Sequence, residues 1–242
     1  MPYTILNLAC GDKTSDRCVN IDWSIYLRLK RLPLPAPLLR AGLNGTRMAR
    51  LARISNHVRV HDLRKGIPGA DSSADAVYHS HFLEHLDRAK APAFLREILR
   101  VLKPGGIQRV VVPDFSVLCR RYLEHLDACR LDMDKWQAHE GSIAAILEHM
   151  VREEAFGTSQ QGRMRRAVEN LVLGSARRRG ETHRWMYDEV SLSVLLQDAG
   201  FTDVTVRTYQ TSGIPGWAAM GLDSDGQGGE YKRGSCYVEC RK

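Results

Sequence analysis

The chain lacks any apolar run approaching the roughly 18 residues that a membrane-spanning helix needs. Its first residues, Met1-Pro2-Tyr3-Thr4-Ile5, lack the basic stretch followed by an apolar one that marks an export signal. The six cysteines (Cys10, Cys18, Cys119, Cys129, Cys236, Cys240) form no C-x-x-C pair and no small-protein framework. Neither a cysteine zinc site nor a disulfide scaffold is expected, and reduced thiols in a cytoplasm are the simplest assignment. With only 9 Pro, 26 % charged and 43 % hydrophobic residues, the chain is not of disordered composition. The phosphate-cradling G-x-G-x-x-G is also missing, which argues against a dinucleotide as ligand.

Acidic residues are absent from 23–61, a stretch holding eight basic ones (Arg28, Lys30, Arg31, Arg40, Arg47, Arg50, Arg53, Arg59). These eight charges exceed the +7 of the whole chain, so the basic character belongs to one segment. That distribution does not match a whole-surface nucleic-acid footprint. Leucines alternate with positive charge through 25–53, in the manner of an interfacial helix on an anionic membrane. A solvated basic flap over a cleft has the same pattern. Pro33, Pro35 and Pro37 rule out one continuous helix there.

What is present is a repeated alternation of apolar runs and turns. Thr4–Leu8, Cys18–Asp22, His57–Asp62, Ala74–Tyr78 and Ile107–Val112 read as strands. Only a turn or two of helix fits between the first two. Phe94, Ile98, Val101 and Leu102 lie at helical spacing, with Pro92 in the first turn and Lys103-Pro104-Gly105-Gly106 as the stop. Residues 115–180 are helical in pattern and are expected to form a cap. Asp188 is placed to N-cap a helix carrying Leu192, Leu195, Leu196 and Ala199, and Val204–Tyr209 and Cys236–Arg241 follow as final strands. Strands alternating with helices imply a doubly wound, mostly parallel sheet in a single domain spanning 1–242, with a basic insertion at 23–56.

In such a sheet ligands bind beyond the carboxyl ends of the strands. Gly11 follows the first strand and would let a ligand approach the backbone. Asp22 ends the second strand, placed to accept from two ribose hydroxyls. Leu6-Asn7-Leu8-Ala9-Cys10-Gly11, Val19-Asn20-Ile21-Asp22, His81-Phe82-Leu83-Glu84-His85-Leu86, Val101 to Gly106, Val111-Val112-Pro113-Asp114 and Leu196 to Phe201 occur in order. Together they resemble class I, type 11-like methyltransferases, in a branch with a His-x-Trp-x-Tyr segment, here His183-Arg184-Trp185-Met186-Tyr187.

The resemblance covers 4–22, 57–118 and 182–209. It implies a Rossmann-like seven-stranded sheet with an antiparallel last strand, S-adenosylmethionine as cofactor and S-adenosylhomocysteine as product. It implies that Asn7, Leu8, Ala9, Cys10 and Gly11 line the methionine end, Asp22 and Trp23 the ribose, Asp62 and Leu63 the adenine edge, and His79, Ser80 and His81 the pocket floor. Asn7, Ala9 and Lys13 depart from the family's usual acid and two glycines, so a degenerate, non-catalytic adenosyl-binding or interaction module is the rival expectation. The acceptor side is assigned to His81, His183 and Tyr187. Imidazoles titrate near neutrality, and Trp185 and Tyr187 offer either pocket walls or a staple onto the next helix. A small-molecule or lipid-linked saccharide acceptor, methylated on oxygen or nitrogen, is the expected substrate class.

His81-x-x-Glu84-His85 also spells the order of inverted zinc peptidases. That chemistry needs the motif inside a helix with a third ligand downstream. Here it directly follows a strand, and no metal is expected.

Overall fold

The computed structural model describes residues 3–31, 45–150 and 182–242. Seven strands form one sheet: β1 (Ile5–Leu8), β2 (Val19–Asp22), β3 (Arg59–Val60), β4 (Ala74–Ser80), β5 (Leu102–Pro113), β6 (Thr202–Arg207) and β7 (Ser235–Arg241). Their order is β3-β2-β1-β4-β5-β7-β6. β1 to β5 pair in parallel, and β7 runs antiparallel to both β5 and β6. This is the doubly wound, Rossmann-like sheet expected from the sequence, with β7 as the antiparallel strand. The reversal of connection beside β1 leaves its carboxyl end open between β2 and β4.

Among the described residues the helices are α1 (Ile25–Arg31), α2 (Gly45–Arg53), α3 (Ala91–Val101), α4 (Phe115–Leu131), α5 (Trp136–Met150) and α6 (Glu189–Asp198). α3 and α6 lay Phe94, Leu95, Ile98, Leu192 and Leu196 on one face of the sheet, against Leu8, Val77, Val110 and Val238. α6 begins on a capping box in which the Asp188 carboxylate accepts from Ser191 N and the Ser191 hydroxyl from Asp188 N.

Three expectations are corrected. No helix lies between β1 and β2. Residues 9–18 are turns, because Asn20 holds them from the neighbouring strand, donating to Ser15 O (2.9 Å) and Cys18 O (3.1 Å). The run at 57–62 yields only a two-residue strand, since β3 is the sheet edge with one neighbour. β5 starts at Leu102, so Lys103-Pro104-Gly105-Gly106, expected as a loop, lies inside the strand. The expected helical cap is described through α4 and α5, and residues 151–180 lie outside the described residues, as do Pro33, Pro35, Pro37 and Arg40 of the basic insertion.

The opposite face of the sheet is covered by an irregular stretch bearing Ile214, Trp217, Met220 and Leu222, which packs on Ile5, Tyr78, Val111 and Tyr237. An irregular cover brings backbone carbonyls over apolar side chains, and these need donors. Arg109, fully buried on β5, supplies them: Nη2 donates to Thr208 O (2.8 Å) and Nη1 to Thr211 O (2.9 Å). The guanidinium also pairs with Asp223 (2.7 Å) and Glu239 (2.9 Å), both buried. Asp223 takes further bonds from Tyr78 Oη (2.6 Å) and Trp217 Nε1 (3.0 Å).

Removing one member of such a network strands the others without water. Arg109→Met should therefore cost about 3–5 kcal/mol in urea unfolding, whereas Tyr78→Phe, which deletes a single bond, should cost about 1 kcal/mol. Equal, small losses for the two would show that the network does not hold the cover.

Candidate functional site

The carboxyl ends of β1, β2, β4 and β5 form one edge, and the residues after them are cross-linked. Cys10 N donates to Ile21 O, His61 N to Asp22 O, and His81 N to Val111 O. Four non-glycine residues among those described have positive φ, and two of them, Ala9 (53°) and His81 (50°), stand at this edge immediately after β1 and β4. Left-handed backbone in a non-glycine residue is strained and concentrates at functional sites. Gly11 shares that conformation (56°), and a Cβ there would meet nothing within 4 Å. Its φ explains the glycine, and open space faces it.

Asn7 is buried and serves the turn rather than an open cleft. Its amide donates to Lys13 O (3.0 Å) and to Asn20 Oδ1 (2.9 Å). Both partners are acceptors, so an amide suits this position where a carboxylate would not. Lys13 closes the same turn, its ammonium on Ser224 O (2.6 Å) and 4.5 Å from the centre of the Tyr231 ring. The departures at Asn7 and Lys13 thus have structural accounts.

Asp22 is buried at the end of β2, one oxygen accepting from Trp23 N (2.8 Å). Trp23 is partly exposed and carries the Arg28 guanidinium over its ring, at 4.9 Å. Leu8 belongs to the main core, and burial pushes the Cys10 thiol up, leaving it protonated and inert. The Asp62 carboxylate is engaged by Arg64 through two bonds of 2.8 Å, which holds it below the usual carboxylate range, and Leu63 packs on the main core. Cys10 also joins Tyr26, Leu27, Leu51, Ile54 and Val58 in a small cluster under α1 and α2. The buried leucines of 25–53 thus face the protein, while Arg31 binds Val58 O (2.7 Å) and Arg53 pairs with Asp12 (3.0 Å).

His79 accepts from Gln108 Nε2 (3.1 Å) and sits edge-on to Phe82 and Phe94. Burial lowers its pKa to about 4, so it is a neutral core histidine beneath the edge. Ser80 ends β4, and the chain then turns through a single 3₁₀ turn at Leu83–His85.

The His-x-Trp-x-Tyr segment is clamped onto that turn. Arg184 N and Trp185 N donate to Glu84 O (2.7 and 3.3 Å), the Arg184 side chain pairs with Asp87, and Arg88 lies over the Trp185 ring (4.3 Å). Tyr187 bridges to Asp114 at the end of β5. The Tyr187 hydroxyl is buried without a hydrogen-bond partner among the described residues, and burial raises its pKa to about 12, so it can donate but is no base at neutral pH.

The structure brings His81, His85 and His183 around the fully buried Glu84. His81 Nδ1 is 3.3 Å and His85 Nε2 is 4.0 Å from Glu84 Oε1, and the His85 and His183 rings are 4.9 Å apart. Burial lowers the His81 pKa although Glu84 opposes this. Glu84, which sequence reasoning left without a role, is the centre of the group. Its signal was the H-x-x-E-H spelling itself. Of the assigned residues, Ala9, Gly11, Asp22, Ser80 and His81 line the edge, His183 lies beside His85 and Tyr187 beside Asp114, and Asn7, Leu8, Cys10 and His79 lie beneath it.

Residues 43–110 match the family model of a methyltransferase domain. That match spans less than a third of the chain. The matched stretch runs from α2 into β5 and leaves out β1, its turn and Asp22. No curated protein matches. Among solved structures, the domain is similar to the methyltransferase in complex with the Haloferax volcanii Trm112 methyltransferase activator (16 % identity, TM-score 0.43, 99 % of this chain and 82 % of that one). It is also similar to a methyltransferase of Archaeoglobus fulgidus (12 %, TM-score 0.42, 99 % and 86 %) and to DhpI (16 %, TM-score 0.45, 99 % and 76 %).

The account of Asn7 is open to test. Asn7→Asp should destabilise the protein by about 3 kcal/mol at neutral pH, because a buried carboxylate would face two acceptor oxygens. Those acceptors and burial raise the folded-state pKa of the new carboxyl. The loss is then full above that pKa and shrinks as pH falls towards the unfolded-state value. Thermal melts of wild type and variant across acid and neutral pH measure it, and a pH-independent difference would contradict the donor role.

Proposed function

We propose that this methyltransferase domain transfers a methyl group from S-adenosylmethionine to an oxygen or nitrogen of a small-molecule or saccharide acceptor, releasing S-adenosylhomocysteine. The observation that carries the reading is the pairing of Gly11, left-handed with open space before it, and the buried Asp22 carboxylate at the end of the adjacent strand. These residues fit an adenosyl ligand without phosphates: no cradle of backbone amides is needed, and a carboxylate suits vicinal hydroxyls.

When bound, the sulfonium cofactor supplies an activated methyl group open to in-line displacement. Every other contribution is positional. Ala9 to Gly11 would admit the methionine end, Asp22 and Trp23 would fix the ribose, and Asp62 and Leu63 would border the adenine. Ser80 and His81 would floor the pocket, with Asn7, Leu8, Cys10 and His79 supporting it from beneath. Holding donor and acceptor in line in a site shielded from water can supply most of the rate. We place the acceptor beside His81, His183 and Tyr187, where imidazoles can take its proton and the Tyr187 hydroxyl can donate a hydrogen bond. The basic flap at 25–53 would favour an acceptor bearing negative charge, and a cytoplasmic setting accords with the chemistry.

Calorimetric titration with S-adenosylmethionine and S-adenosylhomocysteine tests this. Binding in the micromolar range should weaken about 10–100-fold in Asp22→Ala, the loss expected for charged hydrogen bonds of roughly 1.5–3 kcal/mol. Absence of binding to either ligand in the folded wild type would sink this reading and favour a degenerate, non-catalytic interaction module.

A further inference from the structure

The Glu84 group contains an arrangement that methyl transfer does not require. Glu84 is fully buried, and neither carboxylate oxygen has a hydrogen-bond partner among the described residues. A desolvated carboxylate is costly unless a cation or donors meet it. Three groups offer one ligand atom each within 4.8 Å of one another: Glu84, His85 and His183.

The hydrogen bonds around them define which atoms are available. His85 Nδ1 faces Thr182 O (3.1 Å), a carbonyl that can only accept, so Nδ1 donates to it and Nε2 is directed towards Glu84. An imidazole whose outer nitrogen donates to a buried backbone carbonyl is the usual support of a metal-binding histidine. Ser235 Oγ donates to Lys232 O (2.7 Å), so His81 Nε2 must donate to Ser235 Oγ (2.9 Å). His81 Nδ1 lies 3.3 Å from Glu84 Oε1, on the side of the carboxylate group shared with His85.

We infer that Glu84, His85 and His183 bind a divalent transition-metal ion of the zinc class. Two imidazoles and one carboxylate are a donor set for Zn²⁺ with a fourth position left open. Tetrahedral coordination with bonds of about 2.0–2.1 Å would draw the ligand atoms to roughly 3.3 Å apart. The segment carrying His183 is tied to the 83–85 turn on both sides of it, by Thr182 O on His85 Nδ1 and by the 184 and 185 amides on Glu84 O, which places its ring beside His85 and Glu84. The geometry differs from the peptidase one. There His81 and His85 would share a helix face and Glu84 would stay free as a base, whereas here His81 is left-handed at a strand end and Glu84 points into the group. On the methyl-transfer reading, the open position is where an acceptor hydroxyl would be held, and His183 then acts as ligand rather than base. The binding itself stands apart from that reading.

The test uses the full chain, tag removed, stripped with a chelator and titrated with Co²⁺ and then Zn²⁺. About one equivalent of cobalt should bind with the ligand-field absorption of a four-coordinate nitrogen and oxygen site, and zinc should displace it. Zinc should also raise the melting temperature. His85→Asn, His183→Asn and Glu84→Gln should each weaken zinc binding by more than about 100-fold. Should Glu84→Gln or His85→Asn fail to fold, His183→Asn decides, since that ring is only half-buried. Binding of less than a tenth of an equivalent to the folded wild type, or undiminished uptake by folded His183→Asn, overturns the proposal. S-adenosylmethionine titration of the same samples separates the two claims: loss of cofactor binding would sink the methyltransferase reading and leave metal uptake as measured.

Discussion

Arg109 is the interaction on which the rest of the fold depends. One face of the sheet is closed by α3 and α6, which satisfy their own backbones. The other is closed beside β4, β5 and β7 by chain without long helices, so its carbonyls must find donors in the sheet. A guanidinium offers five N–H groups in fixed directions, enough to serve Thr208, Thr211, Asp223 and Glu239 at once. Lysine, with a compact charge, could not reach four partners. Because β5 lies inside the sheet beside the central β4, this anchor also fixes the strand whose Val111 O accepts from His81 N.

A second constraint is the short path from β1 to β2. Parallel neighbours normally require a crossover of a dozen or more residues. Here Ala9 to Cys18 suffices because side chains replace the helix: Asn20 and Asn7 bind each other and the turn, and Lys13 and Asp12 tie it to Ser224 and Arg53. The turn is thereby tied down on several sides while the space before Gly11 stays open. A cofactor site needs both properties, since a mobile turn would lose affinity to ordering.

Much of this was legible in the residues. Continuous apolar runs such as Val110-Val111-Val112 identify strands buried on both faces, and Phe94, Ile98 and Val101 identify the helix that covers them. The edge positions Gly11, Asp22 and His81 follow from strand ends alone. What sequence hid was long-range pairing of polar groups. Arg109 within an apolar strand gives no hint that its partners lie 114 and 130 residues away. Asn7 read as a lost acid because its partner Asn20 becomes adjacent only through the β1–β2 register. The Lys103-Pro104-Gly105-Gly106 stop signal was real as a helix end, yet the residues after it pair at once because β7 and the chain end supply partners to Gly105 and Gly106.

The two histidine motifs show why spacing and chemistry must be weighed apart. Read as one helix face, His81 and His85 imply a peptidase. Folded, they lie either side of a single turn, and the downstream His183 arrives because the 182–187 segment hydrogen-bonds to Glu84 O and bridges to Asp114. The backbone of Glu84 therefore positions the very segment that surrounds its carboxylate. A glutamine would keep those backbone bonds and remove the buried charge, so the backbone role of Glu84 does not by itself account for an acid at this position.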